Sequence, residues 1–190
     1  HFLHLLAEDG LVVGSDPDLW VGQLDDQGRL SPAGHYEPER ASPGWTGISV
    51  DDFDVVGRKA YLGVQVHNRA GLFEGRLEIV DLSAPASPAL LGAVTLTDGD
   101  GVAVAPADVQ VVDDRAYVLG YPGRVIVVVD VRDATAPRVL QVVSLPGIIA
   151  DLAVPASMSV GGAHAFVAYP GGLAVLDVAD PGAIRSAAHL

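Results

Sequence analysis

Apolar residues in this chain fall in short runs punctuated by Gly, Pro, Asp and Ser, and no stretch holds a 3.6-residue period over the length of a helix. The pattern therefore predicts strands throughout and essentially no helix. The plainest run is Val125-Ile126-Val127-Val128-Val129-Asp130, an unbroken β-branched series closed by an acid. A series of this kind reads as a strand buried on both faces. The phrase occurs twice more, at Leu77–Leu82 and Leu173–Val178, and its closing acids Asp81, Asp130 and Asp177 stand 49 and 47 residues apart. That spacing is the mark of an internal repeat.

A small-aromatic pair precedes each of these strands: Ala60-Tyr61, Ala116-Tyr117 and Ala165-Phe166. Asp52 and Asp108 stand eight residues before the first two pairs, and Asp151 is read as their counterpart, with about six extra residues around Ser157–Gly162 absorbing the longer interval. Each unit then contains four short strands. They are Phe53–Val56, Ala60–Val66, Arg76–Leu82 and Ala89–Leu96 in residues 48–99; Val109–Val112, Ala116–Leu119, Arg124–Val131 and Arg138–Leu145 in 100–147; and Leu152–Val154, Ala163–Tyr169, Leu173–Val178 and a truncated Ile184–Leu190 in 148–190. Residues 1–47 form a diverged unit on the same plan, with strands Phe2–Leu6, Leu11–Gly14, Leu19–Leu24 and Leu30–Tyr36, and with Asp25 in the place of Asp81.

Four antiparallel strands repeating at about 40 to 50 residues are the signature of β-propeller blades. The fold class expected is all-β, with about four blades in one domain. A blade has two apolar faces and needs a neighbour on each; four blades can close a ring and six to eight are more usual, and because both ends read as cuts the chain is expected to be an excerpt of a longer protein and its blades part of a larger propeller.

The series Asp-x-x-Val, Ala-Tyr-Val and Gly-Leu-x-Val-Val-Asp-Val-x-Asp-Pro resembles the LVIVD-repeat β-propeller family, most clearly at Gly172–Pro181 and Ile126–Asp133. The resemblance covers residues 48–190 well and 1–47 weakly. It implies a repeat scaffold, often on secreted or surface proteins of prokaryotes, with no shared catalytic set. The expected location is therefore extracellular or at the cell surface, and the expected role a non-catalytic protein-binding or display scaffold. The first unit departs from the family in lacking the first-strand Asp and the Ala-Tyr pair, and the second carries a longer second hairpin.

Charge and composition narrow the chemistry. The formal net charge is −13, from 24 acids against 11 bases of which Lys59 is the single lysine, and there is no basic stripe. Such a surface repels phosphate backbones, which argues against nucleic-acid binding. No run approaches the ~20 apolar residues of a membrane helix. Cysteine is absent, removing thiol nucleophiles, disulfides and Cys-based metal sites.

The closing acids Asp81, Asp130 and Asp177 are expected to accept hydrogen bonds from the turn amides that follow them. Asp52, Asp108 and Asp151 open first strands, the strands nearest a propeller's channel. As carboxylates from successive blades they are candidate ligands for Ca²⁺, and a lactonase-like hydrolase with a calcium-holding channel is the enzymatic alternative, beside a structural spacer for a catalytic domain elsewhere. Their competing role is to cap backbone amides or pair with Arg of an adjacent blade. The long loop 67–75 holds His67, Asn68, Arg69 and Phe73, a polar and aromatic mixture that makes it the candidate recognition element. Thr97–Gly101 begins like a calcium loop but lacks the later ligands, and reads as an acidic turn. His-Glu-x-x-His, Gly-x-Ser-x-Gly and phosphate-loop signatures are missing.

Overall fold

The computed structural model describes residues 4–8, 10–15, 17–39, 45–121, 124–145, 157–169, 172–180 and 182–189. Among these, sixteen strands form four sheets of four, each antiparallel with its strands in chain order. Blade 1 is β1 (His4–Glu8), β2 (Leu11–Ser15), β3 (Leu19–Leu24) and β4 (Leu30–Tyr36). Blade 2 is β5 (Trp45–Val56), β6 (Lys59–Asn68), β7 (Phe73–Asp81) and β8 (Ala89–Leu96). Blade 3 is β9 (Ala105–Val112), β10 (Arg115–Tyr121), β11 (Val125–Asp130) and β12 (Arg138–Ser144). Blade 4 is β13 (Ser157–Gly161), β14 (His164–Tyr169), β15 (Gly172–Asp177) and β16 (Arg185–His189).

Three apolar cores lie one in each gap between consecutive blades. Side chains alternate across a strand, so a single strand feeds two cores. On β6, Ala60 and Leu62 face blade 1 while Tyr61 faces blade 3; on β10, Ala116 and Val118 face blade 2 while Tyr117 and Leu119 face blade 4. This explains the repeated small-aromatic pair. The alanine leaves room for the aromatic ring of the preceding blade, and Tyr61 shares one core with Ala116 as Tyr117 does with Ala165. All six residues Val125–Asp130 are buried, as a strand covered on both faces requires.

The outer rim repeats too. Asp25, Asp81, Asp130 and Asp177 each accept, through Oδ1, the amide two residues on: Gln27 at 2.9 Å, Ser83 at 2.8 Å, Arg132 at 3.2 Å and Ala179 at 3.0 Å. Arg132 and Arg138 also clasp Asp130, at 2.6 and 3.1 Å, and the hydrogen bonds from Arg132 hold its carboxyl well below the usual range. The turn at the end of a third strand docks on the fourth strand of the preceding blade. There Gly34 meets the backbone of Pro85 and Ala86, and Gly92 that of Ala134 and Thr135. The register places Gln141 at the same position of blade 3, where its Oε1 accepts the Ile184 amide at 3.1 Å.

Two expectations are corrected. The first strand of blade 4 is Ser157–Gly161, the stretch read from sequence as an insertion, and Leu152–Val154 lie outside the described residues. Pairing of Ser157 with Ala168 makes Ser157 the counterpart of Asp108, which pairs with Leu119. The eight-residue interval to the small-aromatic pair is thus kept, with serine in the acid's place. The first strand of blade 2 extends back to Trp45, well beyond Phe53, because β6 is long enough to pair with it as far as Asn68.

Substituting Gly92 tests the rim contact, because a Cβ there would lie 2.6 Å from the Ala134 carbonyl oxygen. Gly92→Ala is expected to lower stability by about 1–3 kcal/mol, the range for overpacking. Gly99→Ala, where nothing lies within 4 Å, is expected to be near neutral; urea unfolding of both variants makes the check.

Candidate functional site

Successive first strands lie side by side, and each is the edge of its sheet. An edge strand turns alternate amides away from its partner, and buried amides must find acceptors. Polar side chains within the first strands supply them across the joint. Asp52 Oδ2 accepts the Val109 amide at 2.7 Å and Asp54 Oδ2 the Val111 amide at 2.7 Å. One joint further, Asp108 Oδ2 accepts the Met158 amide at 2.8 Å and Gln110 Oε1 the Val160 amide at 2.7 Å, while Gln110 Nε2 donates to the Met158 carbonyl at 2.6 Å. Blade 1, which has Leu6 where blade 2 has Asp54, is joined differently: Glu8 accepts the Gly57 amide at 3.0 Å and the Pro17 carbonyl accepts the Val50 amide at 3.0 Å.

Of the three metal candidates, the structure thus places Asp52 and Asp108 in backbone staples in successive joints, and Asp151 lies outside the described residues. Among the described residues no group of three His, Cys, Asp or Glu side chains is placed to hold a metal ion. The second members of the staples, Asp54 and Gln110, were missed from sequence. Their signal is the two-residue offset from Asp52 and Asp108, which puts each pair on one side of its strand.

The candidate recognition loop is the turn of the β6–β7 hairpin. Asn68 shapes it: its Oδ1 accepts the amides of Ala70 at 2.9 Å and Leu72 at 3.1 Å. His67 and Arg69 are exposed, and Leu72 is 65% exposed. Phe73 turns back, its ring 6.4 Å from that of Tyr121 in blade 3, so it anchors the hairpin's base while His67 and Arg69 remain at the surface. In the acidic turn that follows β8, Asp98 Oδ1 accepts the amides of Asp100 at 2.9 Å and Val102 at 2.8 Å.

A second polar feature sits between blades 1 and 2. Glu78, at 1% exposure, takes the position held in later blades by Val127 and Ala174. Its carboxylate accepts the Tyr36 hydroxyl at 2.8 Å and pairs with Arg76 Nη2 at 2.8 Å. Burial pushes the Glu78 pKa up, against the opposing effects of the Tyr36 hydrogen bond and the Arg76 charge. Burial together with the Glu78 charge likewise raises Tyr36. In sequence the cluster showed only as an acid interrupting the run Leu77-Glu78-Ile79-Val80.

Four-stranded antiparallel sheets packed face to face, with first strands side by side, make this chain a run of β-propeller blades. The family model of the LVIVD repeat matches two of its segments, residues 71–96 and 156–185. No curated protein matches the chain in sequence. Among solved structures it is similar to a protein from Lactobacillus plantarum, with a TM-score of 0.69 and 16% identity over 95% of this chain and 54% of that one. It is also similar to a candidate 6-phosphogluconolactonase from Bacteroides fragilis, with a TM-score of 0.69 and 12% identity over 98% and 56%. A third likeness is to the periplasmic gluconolactonase PpgL of Pseudomonas aeruginosa, with a TM-score of 0.55 and 12% identity over 97% and 68%. The chain spans just over half the length of the first two, and at these identities the likeness shows the fold.

Removing a staple acceptor strands a backbone amide. Asp108→Ala is expected to cost about 1–3 kcal/mol and to speed hydrogen exchange at Met158, whereas Asp108→Asn, which keeps an acceptor oxygen, is expected to cost less. Urea unfolding and native-state exchange distinguish the three proteins.

For Glu78 the sign follows from its raised pKa. A folded state that binds the proton more tightly than the unfolded chain is favoured at low pH. Glu78's contribution to stability therefore falls as pH rises from about 4.3, the ordinary glutamate value, through the folded value. Glu78→Gln is expected to flatten that slope in urea midpoints measured across the range.

Proposed function

We propose that this segment is a non-catalytic propeller scaffold that binds a protein partner through the β6–β7 hairpin, as part of a secreted or cell-surface protein. The observation carrying the reading is the build of that hairpin. Asn68 fixes its turn, Phe73 pins its base to Tyr121, and Leu72 and Arg69 stand exposed at the tip. A pre-shaped loop loses little freedom on binding, so a few exposed side chains suffice as anchors. The LVIVD resemblance supports the location outside the cytoplasm.

A second reading is a lactonase-like hydrolase in which Asp52, Asp108 and Asp151 hold Ca²⁺ to polarise an ester. Its support is the fold shared with PpgL and the candidate 6-phosphogluconolactonase. Against it, Asp52 and Asp108 each already accept a backbone amide of the next blade.

Two measurements separate the readings. Affinity capture from secreted and surface fractions with the wild-type chain and with Arg69→Glu/Leu72→Asp should return a partner that only the wild type holds; equal capture by both refutes the hairpin as recognition element. Under the hydrolase reading, Ca²⁺ added after EDTA raises the melting temperature, since a ligand bound only by the folded form stabilises it. The scaffold reading expects no change.

A further inference from the structure

The Asn68 turn of the β6–β7 hairpin has a twin in the turn that follows β8, where Asp98 plays the part of Asn68. In each, one side-chain oxygen accepts the amides two and four residues on: Ala70 and Leu72 in the first turn, Asp100 and Val102 in the second. The Asn68 and Asp98 amides donate to the carbonyls of Leu72 at 3.0 Å and Val102 at 2.9 Å, and their own carbonyls accept the amides of Gly71 and Gly101, both at 3.1 Å. The two glycines sit at φ 80° and 81°, in the left-handed region that glycine enters without strain. A third copy, Asp25–Arg29, shows what this build requires. Asp25 accepts the amides of Gln27 and Arg29, donates to the Arg29 carbonyl at 3.0 Å, and has Gly28 at φ 72° in the fourth place. Its fifth residue is an arginine whose side chain is 72% exposed.

The turn therefore uses the backbone of its fifth residue and sets no demand on that residue's side chain. Leu72 and Val102 are apolar all the same, and stand 65% and 50% exposed. Singly, either would call for no explanation, but the two turns are neighbours. β7 leads out of the first and β8 into the second, and the strands pair as far as Gly75 with Leu96. The second turn is closed at its base by the bridge between Thr97 and Ala103 and by the Val104 amide, which donates to the Leu96 carbonyl at 3.0 Å. The Val104 carbonyl fills the space that a Cβ on Gly75 would need, so the closing limb of the second turn rests on the strand that carries the first. The patch has two poles as well. Arg69 is exposed on one turn and Asp100 on the other, and neither forms an ion pair among the described residues.

We propose that the two turns make one recognition surface whose occupant is a folded protein with an apolar pocket for Leu72 and Val102, a carboxylate at the lip facing Arg69 and a basic side chain at the lip facing Asp100. This rests on the scaffold reading above, and extends it by adding the second turn and by giving the partner's chemistry. Apolar side chains that project need a concave counterpart, and once desolvated there they carry most of the affinity. Unpaired rim charges of opposite sign set the orientation and speed the encounter. Both turns are fixed before binding by their own hydrogen bonds, so little freedom is lost when the partner arrives.

Photo-crosslinking tests this, with p-benzoylphenylalanine in place of Leu72, of Val102, or of Leu90, an exposed residue at the far end of β8. Each protein, shown folded by circular dichroism, is irradiated with secreted and surface fractions. The expected result is one and the same protein cross-linked from the Leu72 and Val102 positions and not from the Leu90 position. Charge reversal on the opposite turn, Asp100→Lys with the probe at Leu72 and Arg69→Glu with the probe at Val102, is expected to lower the yield about tenfold or more. A partner cross-linked from the Leu72 position alone overturns the joint surface and leaves the hairpin reading standing, whereas none from either position overturns both. A common partner that is also cross-linked from the Leu90 position, or whose yield is unchanged by both charge reversals, overturns the proposal too.

Discussion

A propeller blade has a weak point at its first strand, which bonds to one neighbour and turns half of its amides outward. The joints described here meet that constraint with side chains: Asp52 and Asp54 reach Val109 and Val111, and Asp108 and Gln110 reach Met158 and Val160. Carboxylates suit the task because they accept only and, when charged, make stronger hydrogen bonds to amides than neutral groups do. The apolar cores supply attraction between blades but little register. Hydrogen bonds to particular amides fix how far one sheet slides along the next, and so place the Ala-aromatic contact where the aromatic side chain has room.

The same logic accounts for seven of the chain's 24 acids. Four acids close third strands by capping a turn, and three more in first strands staple a neighbour. Repetition of an acid in successive blades is here the trace of a backbone problem solved again and again. Glu78 is the exception: a buried carboxylate in a single joint, satisfied by Tyr36 and Arg76. Arg76 comes from Glu78's own strand, but Tyr36 comes from blade 1, so a flank without that hydroxyl would leave the buried carboxylate short of a partner, which sets the blade 1–blade 2 joint apart from its apolar equivalents.

What could be read from sequence follows from what repeats. Strand type, blade count and the capping role of Asp81, Asp130 and Asp177 were legible because three copies vote on each position. Blade 4's first strand was not. Its opening acid is replaced by Ser157, and Asp151 six residues earlier offered a false anchor. The staples were half legible: the acids stood out, but their acceptors are amides of another blade, and a backbone amide leaves no trace in a residue pattern. Phe73 read as a recognition aromatic because nothing in sequence announced Tyr121 beside it, 48 residues on.

Function in a repeat protein has to be sought where the repeat is broken. Positions shared by all blades are committed to holding blades together, and altering one of them disturbs a joint before it disturbs any ligand. The breaks here are few: the extended hairpin with its Asn68 turn and exposed Leu72, the Glu78 cluster, and the Trp20–His35 stack on the flank of blade 1. The first projects from the array, the second is sealed between blades, and the third faces outward from the end of the array. Of the three, the hairpin can change its tip without touching a core, since Phe73 and the β6–β7 ladder hold its base. That separation of a variable tip from a fixed base is what lets a scaffold acquire a partner at small cost to its fold.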